Sequence, residues 1–409
     1  MTRMLTAALL VAALLLVAAC VRVRTHGDRD AWARDTLANG PAALRIATYN
    51  TSLNDDRAGG LVARLEAGDA NAMKVAAVLQ RVRPDVVLLN EFDYDEAHRA
   101  ADLFQQRYLD VRQAGGGEAL RYPYRYLAPV NTGVPSGYDL DRNGRVGGDG
   151  RDAGNDAWGF GLHPGQYGML VLSRYPIASS EARTFQRFRW KDLPGARAPR
   201  DPKTGEAWYA PEAWARFPLS SKSHWDLPID TPAGRIHVLA AHPTPPVFDG
   251  PENRNGLRNH DEIRFWAEYL SSGDRPWLCD DAGRCGGLAA DAAFVILGDH
   301  NADPVDGDGE PGAAAQMIDH PRVNAAVAPT SEGAAESARE YGFPRRGDVA
   351  THTGDFGPNT GTLRLDYVLP SKNLSVRGGG VFWPEKGEPG SELLDASDHH
   401  LVWLDIGPR

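Results

Sequence analysis

Short apolar runs recur along the chain, and most of them end on, or hold, a polar residue of a chemically useful type. LRIATYN closes on Asn50, DVVLLNE on Glu91 and RIHVLAAH on His242, AFVILGDHN carries Asp299 and Asn301, and TLRLDYVL carries Asp366. Runs of this length, rich in Val, Ile and Leu, predict buried strands. The predicted strands are one starting at residue 44, then 85–89, 169–172, 235–241, 294–297, 363–369 and 401–406. Met73, Ala76, Ala77, Leu79 and Val82 recur at helical spacing, predicting a helix over 71–82 that stops before Pro84. Further helices are predicted over 96–108 and 259–270. Periodicity therefore gives a mixed α/β chain in which strands outnumber helices, with no internal repeat.

Two long polar stretches interrupt this pattern. Residues 129–166 are rich in Gly and Asp, and residues 185–223 carry Trp190, Trp208 and Trp214 among many charges. Loops this long are usually functional, so both read as insertions that shape a site.

The first residues read differently again. Arg3 precedes the apolar run LTAALLVAALLLVAA, which is short for a membrane span and suited to a signal peptide over 1–19. Val17, Ala18, Ala19 and Cys20 resemble a bacterial lipobox. That implies cleavage before Cys20 and a lipid on its sulfur, anchoring an exported protein to a membrane of the cell envelope. An ordinary signal peptide with a nearby Cys would instead give a secreted protein. Residues 20–43 read as a charged tether. Residues 44–409 read as one domain, since 42% hydrophobic content supports a large core and no composition shift divides it.

The chain has three cysteines. Cys279 and Cys285 lie in WLCDDAGRCGG, and an exported chain meets an oxidising compartment, which predicts a disulfide closing a surface loop without a catalytic role. Two free thiols are the other reading. A metal site is disfavoured because no His lies nearby. The formal net charge of −10 counts against a non-specific nucleic-acid binder. It does not exclude a nuclease, because a metal-lined cleft carries its own local field.

The polar clusters follow one another as TYN (Thr48–Asn50), NE (Asn90, Glu91), AHP (Ala241–Pro243), GDHN (Gly298–Asn301), RLDY (Arg364–Tyr367) and SDH (Ser397–His399). In kind and order they resemble the endonuclease/exonuclease/phosphatase superfamily, the group of DNase I-like nucleases, sphingomyelinases and inositol polyphosphate 5-phosphatases. The resemblance runs from about residue 44 to residue 406. It implies an α/β fold built as a four-layer α/β/β/α sandwich with two loop insertions, and a metal-dependent phosphoesterase using Mg²⁺ or Mn²⁺.

The resemblance also implies roles. Glu91 becomes the principal metal ligand, which fits a carboxylate at the end of a wholly apolar strand that needs compensation for desolvation. Asn50 supplies a neutral oxygen to metal or phosphate, and Asp398 is a candidate further ligand. Asp299 orients or deprotonates the attacking water, and Asn301 holds phosphate or nucleophile; alternation in an extended segment would put both on one face. His399 stabilises charge on a phosphoryl oxygen, with Asp366 fixing its tautomer. His242 can protonate the leaving oxygen, although Ala-His-Pro departs from the usual Thr-His-Leu. Tyr167 and Arg258 are candidate substrate contacts. His300 and His237 read as structural, and Asp303 as a turn former.

Asp139, Asp141 and Asn143 begin an EF-hand-like calcium loop, but Gly150 stands where the closing acid should be; Asp149 or Asp152 could substitute, and a solvated loop is the plainer reading. The expected function is hydrolysis of a phosphodiester or phosphomonoester outside the cytoplasm by a monomer. An extracellular nuclease is the narrower alternative, and a non-catalytic phosphate- or metal-binding surface protein is the alternative of a different kind.

Overall fold

The computed structural model describes residues 43–409, so the predicted signal peptide, Cys20 and nearly all of the tether lie outside the described residues. The strands are β1 (Leu44–Leu53), β2 (Val86–Phe92), β3 (Tyr124–Tyr126), β4 (Met169–Ser173), β5 (Arg183–Thr184), β6 (His224–Thr231), β7 (Gly234–Ala241), β8 (Phe294–Asp299), β9 (Gly354–Asp355), β10 (Thr362–Leu363), β11 (Asp366–Pro370), β12 (Leu374–Val381) and β13 (Val402–Pro408). One sheet has the order β12-β13-β1-β2-β4-β3, a second β11-β8-β7-β6-β5, and β9 and β10 form a small ribbon.

Side-chain alternation explains how these sheets stack. Along β1, Leu44 and Ile46 enter a core shared by both sheets, while Ala47 and Tyr49 face a core on the opposite side, against the helices Gly60–Ala67 and Ala70–Val82. Along β8, Val295 and Leu297 join the shared core, while Phe294 and Ile296 face the helix Arg254–Leu270. Each central strand is thus buried on both faces, which is why it reads as an unbroken apolar run. Three cores separate four layers, helices outside and sheets inside, as the sequence resemblance implied.

The shared core is anchored by Trp225, which is fully buried on β6 and meets Tyr126 edge-to-face at 5.2 Å. Trp225→Ala is expected to cost about 3–5 kcal/mol, measured as a lowered urea midpoint at unchanged slope. Arg45 on β1 and Asp405 on β13 form a bidentate pair at 2.8 Å, and Arg45 Nη1 also donates to the carbonyl of Val82 at 2.9 Å.

The second insertion is more ordered than its composition suggests. Trp190 is fully buried, its indole N–H donating to Asp261 at 2.7 Å, and Phe185 and Phe188 pack edge-on against Phe265. The first insertion leans on the second: Trp208 Nε1 donates to the carbonyl of Leu140 at 3.0 Å, and Trp158 meets Phe217 at 5.4 Å. Cys279 and Cys285 are joined in a disulfide.

Some boundaries differ from expectation for identifiable reasons. The helix expected over 96–108 is a short α-helix, Arg99–Leu103, followed by a π-helical turn, Phe104–Leu109. The helix expected from 259 starts at Arg254. The strand expected over 363–369 is split, because the amides of Arg364, Leu365 and Asp366 donate to Asp303 and to Thr353 Oγ1 instead of to a ladder. In the Asp-rich loop, the third carboxylate beside Asp139 and Asp141 is Asp156, not Asp149 or Asp152. Asn143 Oδ1 accepts from Arg145 N. Backbone amides already occupy Asp139 and both oxygens of Asp156, so the loop closes on its own N–H groups.

Candidate active site

The two sheets deliver their strand ends to one place. β1 and β2 run parallel with Asn50 opposite Asn90, so Asn50 and Glu91 emerge together. β7 and β8 run parallel with Ala240 opposite Leu297, so His242 and Asp299 emerge together two residues on. β11 runs antiparallel to β8 with Asp366 opposite Asp299. Asn90 ties the sheets at this point: its Oδ1 accepts from Asp299 N at 3.1 Å and its Nδ2 donates to the carbonyl of Ala241 at 3.5 Å.

Asp299 is the hub. Asn50 Nδ2 donates to its Oδ2 at 3.0 Å, with His242 Nε2 at 3.5 Å and His399 Nε2 at 3.6 Å from the same oxygen. Asn50 Nδ2 also donates to Glu91 Oε1 at 3.1 Å. His399 Nδ1 lies 2.8 Å from Asp366 Oδ2, which accepts from Thr353 Oγ1 as well; Asp366 Oδ1 is buried without a hydrogen-bond partner. Asp398 is exposed at the rim, 3.5 Å from Ser52 Oγ.

Asn301 joins the site by a route other than the one expected. β8 ends at Asp299, and Asn301 stands at φ 51°, its amide donating to Asp299 Oδ1 at 2.8 Å. A tight turn, not strand alternation, pairs the two, and Asn301 Nδ2 donates to the carbonyl of Pro243 at 3.1 Å. As the amide of Asn50 stands, its nitrogen faces the carboxylates; rotation about χ2 would bring Oδ1 to the same place.

Tyr167 and Arg258 both line the cavity that opens beside Glu91 and His242. Arg258 is mostly committed elsewhere: Nε donates to the carbonyl of Leu219, and Nη2 to those of Trp158 and Pro218. That makes it a clamp between the insertions. His300 is buried beside Asp299 with neither ring nitrogen hydrogen-bonded, and His237 pairs with Asp226 at 2.6 Å, so neither is hydrogen-bonded into the Asp299 cluster. Asp303 closes a turn through the amides of Val305 and Asp306.

Two residues escaped the sequence reading. Asn54 Nδ2 donates to Glu91 Oε2 at 3.0 Å. Lys222 is a 5% exposed lysine on the cavity wall. A Lys between two serines reads as a solvated side chain, and only the fold buries it.

The backbone is strained where the site is built. Among the described residues, nine non-glycine residues have positive φ, and five of them, Ser52, Glu91, Tyr167, Phe248 and Asn301, lie in the cluster or on the cavity wall. Such conformations cost of order 1–3 kcal/mol each and persist where surrounding structure holds them.

Electrostatics separate the titratable groups into roles. Burial alone would lower the pKa of His399, but the carboxylates of Asp366 and Asp299 outweigh it and hold the imidazole well above its ordinary value. Burial opposes ionisation of Asp299 too, yet the charge of His399 and the contact with His242 keep it a carboxylate. His242, buried and facing the charge of Lys222, is pushed down to about 4. It is therefore neutral at rest, and donating a proton to a leaving oxygen would require it to gain one as an anionic substrate arrives. Burial raises Glu91, whose direct partners are two neutral amides. No ion pair involves Glu91 among the described residues, so its carboxylate fits a cation.

Comparison with known proteins follows the same lines. The profile of the Endonuclease/Exonuclease/phosphatase family matches residues 47–399. No curated protein matches the sequence. Among solved structures, an endonuclease/exonuclease/phosphatase from Beutenbergia cavernae is 17% identical, covering 90% of this chain and 72% of that chain at a TM-score of 0.49. Sphingomyelinase C from Streptomyces griseocarneus is 18% identical over 89% of this chain and 99% of that chain, TM-score 0.42. The human Nocturnin catalytic domain, with bound sulfate, is 12% identical over 90% and 94%, TM-score 0.42.

Proposed function

Because the chain belongs to the Endonuclease/Exonuclease/phosphatase family, we propose that it is a metal-dependent phosphoesterase working outside the cytoplasm. The observation that carries this is one buried carboxylate, Asp299, held between two imidazoles and joined through Asn50 to a second, half-buried carboxylate, Glu91. Export is supported by the signal-like first residues and by the disulfide in the 279–285 loop.

Glu91, with Asn50 and Asp398, would hold a hard divalent cation such as Mg²⁺ or Mn²⁺, which supplies charge neutralisation at a phosphoryl oxygen. Asp299, Asp366 and His399 also have ligand atoms within 4.8 Å of one another. Asp299 orients the water and takes its proton as the new P–O bond forms. The imidazolium of His399, steered by Asp366, faces the charge that builds on the phosphoryl oxygen. The P–O bond to the leaving group breaks in line, and that oxygen takes a proton from His242 or solvent.

The test is hydrolysis of bis(p-nitrophenyl) phosphate by the folded protein with Mg²⁺ or Mn²⁺ and with EDTA, beside nicking of supercoiled plasmid. Metal-dependent release of nitrophenolate is expected. Plasmid nicking at a comparable rate would narrow the activity to a nuclease. Phosphate binding without turnover of any phosphoester would identify a non-catalytic binder and sink the proposal.

A further inference from the structure

The cavity beside Glu91 and His242 has a volume of about 360 Å³, in the range of sites that enclose a small molecule. Apart from Glu91 on β2, its walls come from segments outside the sheet strands. Phe160 belongs to the first insertion, Tyr209, Phe217 and Lys222 to the second, and Phe248 to the loop that follows His242. The chemistry is of two kinds.

The first is a cation. Lys222 is 5% exposed, and its charge is met across space by the carboxylates of Glu262, Glu91 and Asp299, none of which forms an ion pair with it. Glu262, the acid on the neighbouring helix, is already engaged by the amides of Ser221 and Thr244, each at 2.6 Å. Burial works against that charge, and an anion in the cavity would add a direct partner to those more distant carboxylates. Arg151, its guanidinium 5.2 Å from the ring centroid of Phe160, adds positive charge to the same wall.

The second is an aromatic wall. Tyr209 and Phe217 are buried with ring centroids 4.6 Å apart, forming a fixed apolar side. Phe160 and Phe248 are 39% and 75% exposed, and Phe248 is held at φ 68°. A single exposed phenyl ring is ordinary. Two on one cavity, one of them on strained backbone beside the reactive cluster, suit contact with a flat ligand.

We propose that this cavity seats the organic group of a small phosphoester carrying a flat ring, with Lys222 on an oxygen of its anion and Phe160 and Phe248 against the ring. The proposal rests on the phosphoesterase reading above and names the substrate class of that site. It places selectivity in the insertions and in the loop that follows His242, and leaves the reacting groups on the strand ends.

The test is calorimetric binding to the full-length chain in mild detergent and EDTA, using adenosine 5′-monophosphate and ribose 5-phosphate as probes that differ by the ring. The ring-bearing probe is expected to bind about tenfold tighter. Phe248→Ala, an exposed substitution that spares the core, removes that advantage and leaves ribose 5-phosphate binding as it was. Lys222→Met weakens both probes about tenfold or more. Equal affinity of wild-type protein for the two probes overturns the proposal, as does unchanged binding in both variants. Should Lys222→Met not fold, Phe248→Ala decides alone. Hydrolysis of bis(p-nitrophenyl) phosphate by the same wild-type protein, freed of EDTA and supplied with Mg²⁺ or Mn²⁺, reports the phosphoesterase reading separately: selective binding without turnover under those conditions upholds the cavity while overturning that reading.

Discussion

His399→Ala is expected to lower kcat about 10²–10⁴-fold with little change in KM, read from steady-state kinetics on a metal-dependent phosphodiester. The imidazole touches two buried acids, Asp366 at 2.8 Å and Asp299 at 3.6 Å, and no core layer depends on it. Its pH behaviour carries a sharper expectation. Those carboxylates raise the pKa of His399, so the charged form persists through neutral pH, and activity that needs it falls only as pH rises through the raised value. Asp366→Asn removes the largest raising influence. The alkaline limb should then move to lower pH, and an unmoved limb would assign the charged role to another group.

Glu91→Gln is expected to abolish the metal dependence and with it nearly all turnover, while leaving the metal-free protein as stable or more stable. The signs oppose each other for a physical reason. Burial raises the pKa of Glu91 despite the amides of Asn50 and Asn54 and the more distant charges of His399 and Lys222, so its ionised form costs folding free energy at pH values above its unfolded pKa. A cation reverses that balance: at a metal concentration about 100-fold above Kd, wild-type protein gains roughly 2.7 kcal/mol. Thermal unfolding with and without Mg²⁺ reads both effects. A metal-induced rise in Tm that survives in Glu91→Gln would move the cation elsewhere, the Asp299–Asp366–His399 group being the first place to look.

How far the sequence carries can be argued from particular residues. Each residue of the Asp299 cluster ends, begins, closely precedes or closely follows a strand with an apolar run, and the period-two pattern of those runs is what folding uses. β6 and β12 are less legible. Trp225, Leu227 and Ile229 alternate correctly toward the shared core, but Asp226 and Pro228 between them read as a loop. β12 carries three consecutive glycines, and a side chain at Gly380 would meet the ring of Trp403. Lys222 and Asp156 share another cause. Their neighbours in space lie far along the chain, and composition near them carries no sign of burial or of a shared loop. The wider helical turn over Phe104–Leu109 has no signature in hydrophobic spacing at all.

The pairing of β1 with β13 has a consequence in time. Arg45 and Asp405 meet across a separation of 360 residues, and Leu44 lies opposite Ile406. β1 sits in the middle of its sheet, so that sheet stays open along one of its central seams until the chain beyond Ile406 has been synthesised. His399 lies only three residues before β13 begins. Closing the first sheet and completing the cluster around Asp299 are therefore late events of the same step, and contacts this distant slow folding. A chain emerging N-terminus first would leave the Asp299 cluster without His399 until its last segment arrives.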